Sequence, residues 1–267
     1  MCSLEPVGAS SRGGVVGEVG MVKVGNKSRL ARRCLAWGMC ILISYVSMRS
    51  FVYASFPLEQ HAWVMRDTFM NIPRLLCTFA LLAACAYYWG LRATGLTFAE
   101  PIKGIGYGLC FIGVWFLNHL IGEAFYDYDP GYLLILTVSS FIVALFEELL
   151  FRGLFLKALA ELWGERVGLW GSAFLFTVYH IQAQPLEAWG MLFLAGAYLA
   201  LMRLAGVGLW WCIFTHGLFD SLVFVGTHGE AIYPWMPPVL LGLEGLVVIW
   251  VCRHVGQCRS AEGAQFQ

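Results

Sequence analysis

The sequence has few charged residues for its length. Only 13% of its 267 residues are Asp, Glu, Lys or Arg, and 59% are hydrophobic, whereas soluble domains have about 25% charged and about 45–50% apolar residues. A water-soluble fold could not bury this much apolar surface. At about 20 residues per membrane span, the length accommodates about eight helices and leaves no room for a second folded domain. The sequence therefore predicts an all-α, polytopic transmembrane helical bundle of about eight spans.

The sequence also lacks paired cysteine spacings and any excess of positive charge. Its nine cysteines lie mostly within or beside apolar stretches, without the spacing of metal ligands, so we interpret them as small core residues. The net charge is zero. Nucleic acid is therefore not an expected partner, whereas membrane lipid is.

Apolar stretches separated by polar loops define the predicted spans. A flexible basic N-terminal tail is expected over 1–33, the transmembrane bundle over 34–252 and a cytoplasmic C-terminal tail over 253–267. The predicted spans are 34–54, 74–92, 105–122, 131–152, 167–184, 187–205, 207–225 and 234–252.

The distribution of Lys and Arg supports this number of spans. With the N-terminus inside, fourteen of the seventeen Lys and Arg residues fall in inner segments, as the positive-inside rule requires. The three exceptions, Arg49, Arg66 and Arg74, surround the first outer loop. We therefore expect a multi-pass integral membrane protein of a plasma, inner or endoplasmic reticulum membrane, with both termini cytoplasmic.

Two adjacent glutamates occur in the predicted fourth span, within the segment FEELLFR. Glu148 and Arg152 are four residues apart, with the acid first, which favours an ion pair on one helix face. Glu147 points about 100° away and is left to face a cavity, where it could act as a general base. The alternative is a buried ion cluster that only holds helices together.

Two histidines occur in later predicted spans. His180 ends the segment FTVYH, where Phe176 is one turn away, and His216 begins HGLFD, where Asp220 is one turn away. Asp220 could fix the tautomer of His216. Either histidine alone is more often a buried residue bonded to a carbonyl, but their occurrence together with the glutamates favours a catalytic site.

The three motifs EExxxR, FxxxH and HxxxD, in this order, resemble those of the CAAX-prenyl endopeptidase and bacteriocin-processing family of intramembrane proteases (CPBP, Abi). The resemblance covers about 131–225. It implies a protease-like core in which glutamate and histidine activate water to hydrolyse a peptide bond. The last motif often ends in Asn in that family, and here it ends in Asp. The implied catalytic residues are Glu147, Glu148, Arg152, His180, His216 and Asp220.

Two chemistries fit these residues. Without a cofactor, Glu147 and His180 would activate water while His216 stabilises the oxyanion, which is the version the resemblance favours. Alternatively, Glu147, His180 and His216 would bind zinc. The expected partner is a peptide or lipidated protein substrate. The competing functions are a non-proteolytic membrane scaffold of the same fold and a small transporter with a polar site at mid-membrane.

One geometric difficulty concerns the depth of the predicted site. If the fourth span ends at 152, Glu147 lies toward the inner side and His180 toward the outer side, a mismatch on the order of 10 Å at 1.5 Å per residue. Continuation of this helix through Lys157 toward Glu161 would place Glu147 near mid-membrane.

Overall fold

The computed structural model describes residues 18–55, 69–120, 130–181, 184, 186–225 and 236–265. These residues are almost entirely helical and contain no strand, so the all-α fold class is confirmed. Short 3-10 turns occur at Leu91–Thr94 and Leu186–Ala188, and a π-helical segment at Leu149–Phe155. The α-helices are α1 (Glu18–Ser55), α2 (Asn71–Tyr88), α3 (Pro101–Leu120), α4 (Pro130–Glu148), α5 (Leu156–Trp163), α6 (Glu165–His180), α7 (Trp189–Leu204), α8 (Leu209–Val225) and α9 (Met236–Gln265).

Four helical stretches in the described part of the chain are long and apolar enough to cross a membrane. A fifth apolar stretch, Pro101–Val114, is shorter. These stretches make the chain an integral membrane protein of helical-bundle type, while the count of eight spans and the sidedness of the termini stay predictions. The four stretches are Lys27–Val52, Asn71–Tyr88, Pro130–Trp163 and Leu186–Leu204.

The bundle is arranged around α4 and its continuation. Helix α4 packs against α8 and α2, and α6 packs against both α5 and α7. All seven residues of the π-helical segment are buried. Large apolar side chains also cover outward faces, and such faces suit contact with lipid tails. Examples are Phe79, Leu109, Leu134, Phe174 and Leu218, each more than two-fifths exposed.

The helical run that begins at Pro130 does not end at 152, as the predicted span boundary has it. It continues through the π-helical segment and α5 to Trp163, giving 34 residues. The continuation toward Glu161 is therefore confirmed, and Glu147 and Glu148 lie at the middle of the run. Helix α1 begins at Glu18, inside the segment predicted as a tail, and the division into tails and bundle stays a prediction.

Candidate active site

Glu148 and Arg152 form a buried ion pair where α4 meets the π-helical segment. Nη1 of Arg152 donates to Oε1 of Glu148 across 2.8 Å, and both side chains are 0% exposed. The i,i+4 spacing places them on one face of the helical run. The pair predicted from the spacing is thus present, in a region where charge must be neutralised locally.

His216 of α8 contacts the same carboxylate. Its Nδ1 lies 2.8 Å from Oε1 of Glu148 and donates to it. Its Nε2 lies 3.5 Å from Oδ2 of Asp220 and 3.8 Å from Oε2 of Glu147. The role of Asp220 in orienting His216 stays a prediction, and the shorter contact to the ring comes from Glu148, which is 68 residues away in sequence.

Arg152 connects this pair to helices α6 and α7. Its Nη2 donates to the carbonyl oxygen of Gly196 across 3.1 Å. Its guanidinium carbon lies 4.4 Å from the ring centroid of Phe176, within the range of a cation–π contact. Phe176 in turn lies against the His180 ring, with centroids 4.5 Å apart. One arginine therefore fixes the relative positions of three helices around the site.

The second glutamate, Glu147, faces both histidines. Its Oε2 lies 3.7 Å from Nε2 of His180 and 3.8 Å from Nε2 of His216, and its side chain is 3% exposed. Among the described residues this oxygen makes no direct hydrogen bond. Polar contacts slightly longer than a hydrogen bond are those that a water molecule can bridge. The two glutamates thus have different surroundings, as the helical spacing predicts.

His180 is held in one tautomer by its own helix. Its Nδ1 lies 2.8 Å from the carbonyl oxygen of Phe176. A carbonyl oxygen only accepts, so Nδ1 carries the proton in the neutral ring and Nε2 presents its lone pair toward Glu147. His180 and Asp220 are the more accessible members, with side chains 14% and 21% exposed.

The structure brings all six predicted site residues together from α4, the π-helical segment, α6 and α8. The mismatch in depth between Glu147 and His180 that a span ending at 152 would cause is absent, because Nε2 of His180 lies 3.7 Å from Oε2 of Glu147. The longer helical run explains this agreement, since it moves Glu147 to the middle of its membrane-crossing stretch. The π-helical turns begin directly after Glu148, and such turns are frequent at functional sites.

Sequence reasoning missed a second basic group beside the site. Arg49 of α1 and Arg74 of α2 are only 6% and 2% exposed, and both interact electrostatically with Glu147. The Arg49 guanidinium carbon lies 5.5 Å from the ring centroid of Tyr179. The sequence did contain a feature that could have identified them. Both residues depart from the positive-inside pattern, and a charged residue within the membrane is energetically costly.

The residues named for zinc do not fit a metal site as they stand. In the described part of the chain, no three His, Cys, Asp or Glu side chains are arranged to hold a metal ion. This includes Glu147, His180 and His216. The zinc version stays a prediction, and no reaction step below is derived through a metal.

The comparisons with known proteins point to the same segment. No curated protein and no solved structure matches the chain. A family model, described as "Type II CAAX prenyl endopeptidase Rce1-like", matches residues 129–222, which contain all six site residues. This match supports CAAX-type intramembrane endopeptidase activity in general. The resemblance seen in the three motifs is thereby confirmed over residues 129–222, which are similar to the Rce1-like type II CAAX prenyl endopeptidases.

Proposed function

We propose that the protein is an intramembrane endopeptidase that hydrolyses a peptide bond of a prenylated or otherwise membrane-associated substrate. The observation that carries this proposal is the position of Oε2 of Glu147, 3.7 Å and 3.8 Å from Nε2 of His180 and His216. A water molecule between these atoms would be within hydrogen-bond reach of a carboxylate and two imidazoles.

In the first step, Glu147 takes a proton from this water while its oxygen attacks the carbonyl carbon of the scissile bond. Nε2 of His180, whose lone pair faces Glu147 and this water, accepts a second hydrogen bond from the water and so orients it. Glu147 then passes the proton to the leaving amine as the C–N bond breaks. One carboxylate therefore serves as base and then as acid.

His216 stabilises the oxyanion that develops on the substrate carbonyl. Because Nδ1 already donates to Glu148, Nε2 can donate only when the ring is an imidazolium. Carboxylates of Glu147, Glu148 and Asp220 all lie within 4 Å of the ring nitrogens, and they supply the counter-charge for that form. A donor prepositioned in a site that excludes water is worth more than one in solution.

Glu148 and Arg152 do not touch the reacting atoms in this mechanism and act as positioning residues. Glu148 holds the imidazole of His216, and Arg152 neutralises Glu148 and fixes Phe176 against His180. Such supporting contacts hold the reacting groups in the geometry on which the efficiency of a site depends.

A cleavage assay with purified protein tests the proposal. The substrate is an S-farnesyl peptide of CAAX form that carries a fluorophore and a quencher on either side of the expected bond. We expect cleavage by the wild-type protein, none by Glu147→Gln, and unchanged cleavage in the presence of a metal chelator.

Two other results would change the proposed function or its mechanism. A folded wild-type protein that cleaves no such peptide, prenylated or not, would favour the scaffold or transporter alternatives. Loss of wild-type cleavage on chelation, restored by zinc, would replace the cofactor-free mechanism with a metal-dependent one.

A further inference from the structure

We propose that Arg49 and Arg74 bind the free C-terminal carboxylate of the substrate peptide. This inference rests on the proposed function, because it assigns one end of the substrate to a place in the same site. It also extends that site beyond the matched region, since both residues precede 129. The two arginines come from α1 and α2.

Position and burial distinguish these two residues from the exposed cations of the described chain, such as Arg92. Both side chains are almost fully buried, at 6% and 2% exposure, and both guanidinium groups interact electrostatically with Glu147. Arg49 also acts on His180. A guanidinium in a membrane-embedded site is costly, and its fork of N–H donors matches the two oxygens of a carboxylate.

The distance from the reacting groups fits the product that a CAAX peptidase would release. A CAAX motif is the C-terminal four residues with the lipid on Cys, so cleavage after Cys frees three residues. Three extended residues span about 10 Å. The guanidinium carbon of Arg49 is 5.5 Å from the Tyr179 ring centroid, which is 4.8 Å from the His180 ring centroid. These two steps place the Arg49 guanidinium no more than about 10 Å from the His180 ring, a separation that an extended tripeptide can span.

Both guanidinium groups are held in place by neighbouring side chains. Nη1 of Arg74 donates to Oδ1 of Asn71 across 3.0 Å, and Nδ2 of Asn71 donates to Oγ of Ser139 across 2.7 Å. Ser139 lies two turns before Glu147 on α4, so this chain ties Arg74 to the helix that carries the base. Arg49 lies over the ring of Tyr179. A binding group held this way loses little entropy when the substrate arrives.

The distribution of charge along the chain supports a binding role for these two arginines. Arg49 and Arg74 are two of the three positive residues that fall on the predicted outer side. Positive charge there opposes the usual bias of membrane proteins. A buried arginine on this side of the bundle is therefore unusual, which marks both residues as candidates for a binding role.

The test compares two substrates that differ only at the C-terminus. One S-farnesyl CAAX peptide ends in the free carboxylate, and the other ends in a carboxamide. We expect wild type to cleave the acid with a kcat/KM at least about tenfold higher than the amide, since a charge-assisted hydrogen bond is lost in the amide. The difference should lie mainly in KM.

Variants then assign this preference to the two arginines. Arg49→Gln and Arg74→Gln should each reduce the ratio of acid to amide by about tenfold, whereas Arg92→Gln, at an exposed arginine of the chain, should leave it unchanged. Because both peptides are assayed with the same protein sample, the ratio of acid to amide cleavage does not depend on how much of a variant is folded. Equal loss of kcat on both peptides, with the ratio preserved, would overturn the proposal and make the arginines positioning groups for Glu147.

A binding measurement separates this inference from the proposed function. The Glu147→Gln variant should bind the uncleaved acid peptide about tenfold more tightly than the amide, and Arg74→Gln added to it should abolish the difference. Absence of cleavage in wild type with this binding preference would overturn the peptidase and retain the carboxylate site. Cleavage of both peptides without any binding preference would retain the peptidase and overturn the carboxylate site.

Discussion

His216 donates from Nδ1 to Oε1 of Glu148 across 2.8 Å, and the two side chains are 8% and 0% exposed. The same oxygen accepts from Nη1 of Arg152. Glu148 therefore serves two groups at once, because it neutralises a buried cation and orients the imidazole that faces the reacting atoms. Loss of this single carboxylate should affect both stability and catalysis.

We expect the Glu148→Gln substitution to lower stability and abolish efficient cleavage. The amide leaves Arg152 as an uncompensated charge in the bundle, and breaking a buried pair costs about 3–5 kcal/mol. It also removes the charge that holds His216. The melting temperature in detergent and the kcat for the fluorogenic peptide measure the two effects separately.

A double variant separates the two roles of Glu148. Glu148→Gln with Arg152→Met removes the stranded cation, so part of the lost stability should return. Cleavage should stay low, because His216 still lacks its carboxylate. Recovery of full activity in the double variant would show that His216 does not depend on Glu148.

The neighbouring substitution, Glu147→Gln, should behave differently. Oε2 of Glu147 makes no direct hydrogen bond among the described residues, so the free energy of unfolding should change by no more than about 1 kcal/mol. Activity should be lost, because an amide cannot accept the proton of the attacking water. A Glu147→Gln protein with wild-type turnover would disprove the general-base role.

Local helical geometry explains why part of the site could be predicted from the sequence. The Glu148 and Arg152 pair follows from the i,i+4 spacing and needs no knowledge of the fold. The same period separates Glu147 from Glu148 around the helix. The occurrence of glutamate or histidine in three predicted spans was also enough to identify which spans meet.

Contacts between side chains on different helices could not be predicted from the helical period. Glu148 rather than Asp220 makes the shortest contact to His216, because the packing of α8 on α4 decides which carboxylate reaches Nδ1. Arg49 and Arg74 were predicted only to surround the first outer loop, since hydropathy alone cannot show that the side chains at a helix end point into the bundle. The depth of Glu147 depends on where its helical run ends. The charged residues beyond 152 make the true end, at Trp163, hard to recognise in the sequence.

The tautomer of His180 leads to a further prediction. In His180→Asn, the side-chain amide can still donate to the carbonyl oxygen of Phe176, as Nδ1 does, but the atom equivalent to Nε2 is gone. We expect a protein that folds and inserts normally, with kcat reduced by about 100-fold, the loss that misplacement of a reacting group can cause.

The control for His180→Asn is the same change at the exposed His254 of α9. His254→Asn should keep wild-type kcat and melting temperature. If His180→Asn retained kcat within a few-fold of wild type while binding substrate normally, His180 would have no part in activating water.

The last prediction concerns the close approach of α7 to α6 at Gly196. A methyl group added there would meet Cδ1 of Phe176 at 3.2 Å and Cα of Ala173 at 3.3 Å, and both helices would have to move apart. Gly196→Ala should therefore cost about 1–3 kcal/mol by overpacking. Its carbonyl oxygen accepts from Arg152, so the shift should also loosen Arg152 and Phe176 and lower kcat.

The matched control is Gly245→Ala on α9, where the added methyl group would meet only Cδ1 of Leu194 at 3.9 Å, an ordinary contact. It should leave both the melting temperature and kcat close to wild type. A Gly196→Ala protein that melts like Gly245→Ala but still loses activity would mean that the carbonyl and Phe176 positions matter to catalysis without contributing to stability. If Gly196→Ala kept full activity as well as full stability, the contact between α6 and α7 would not be needed to place Arg152 and His180.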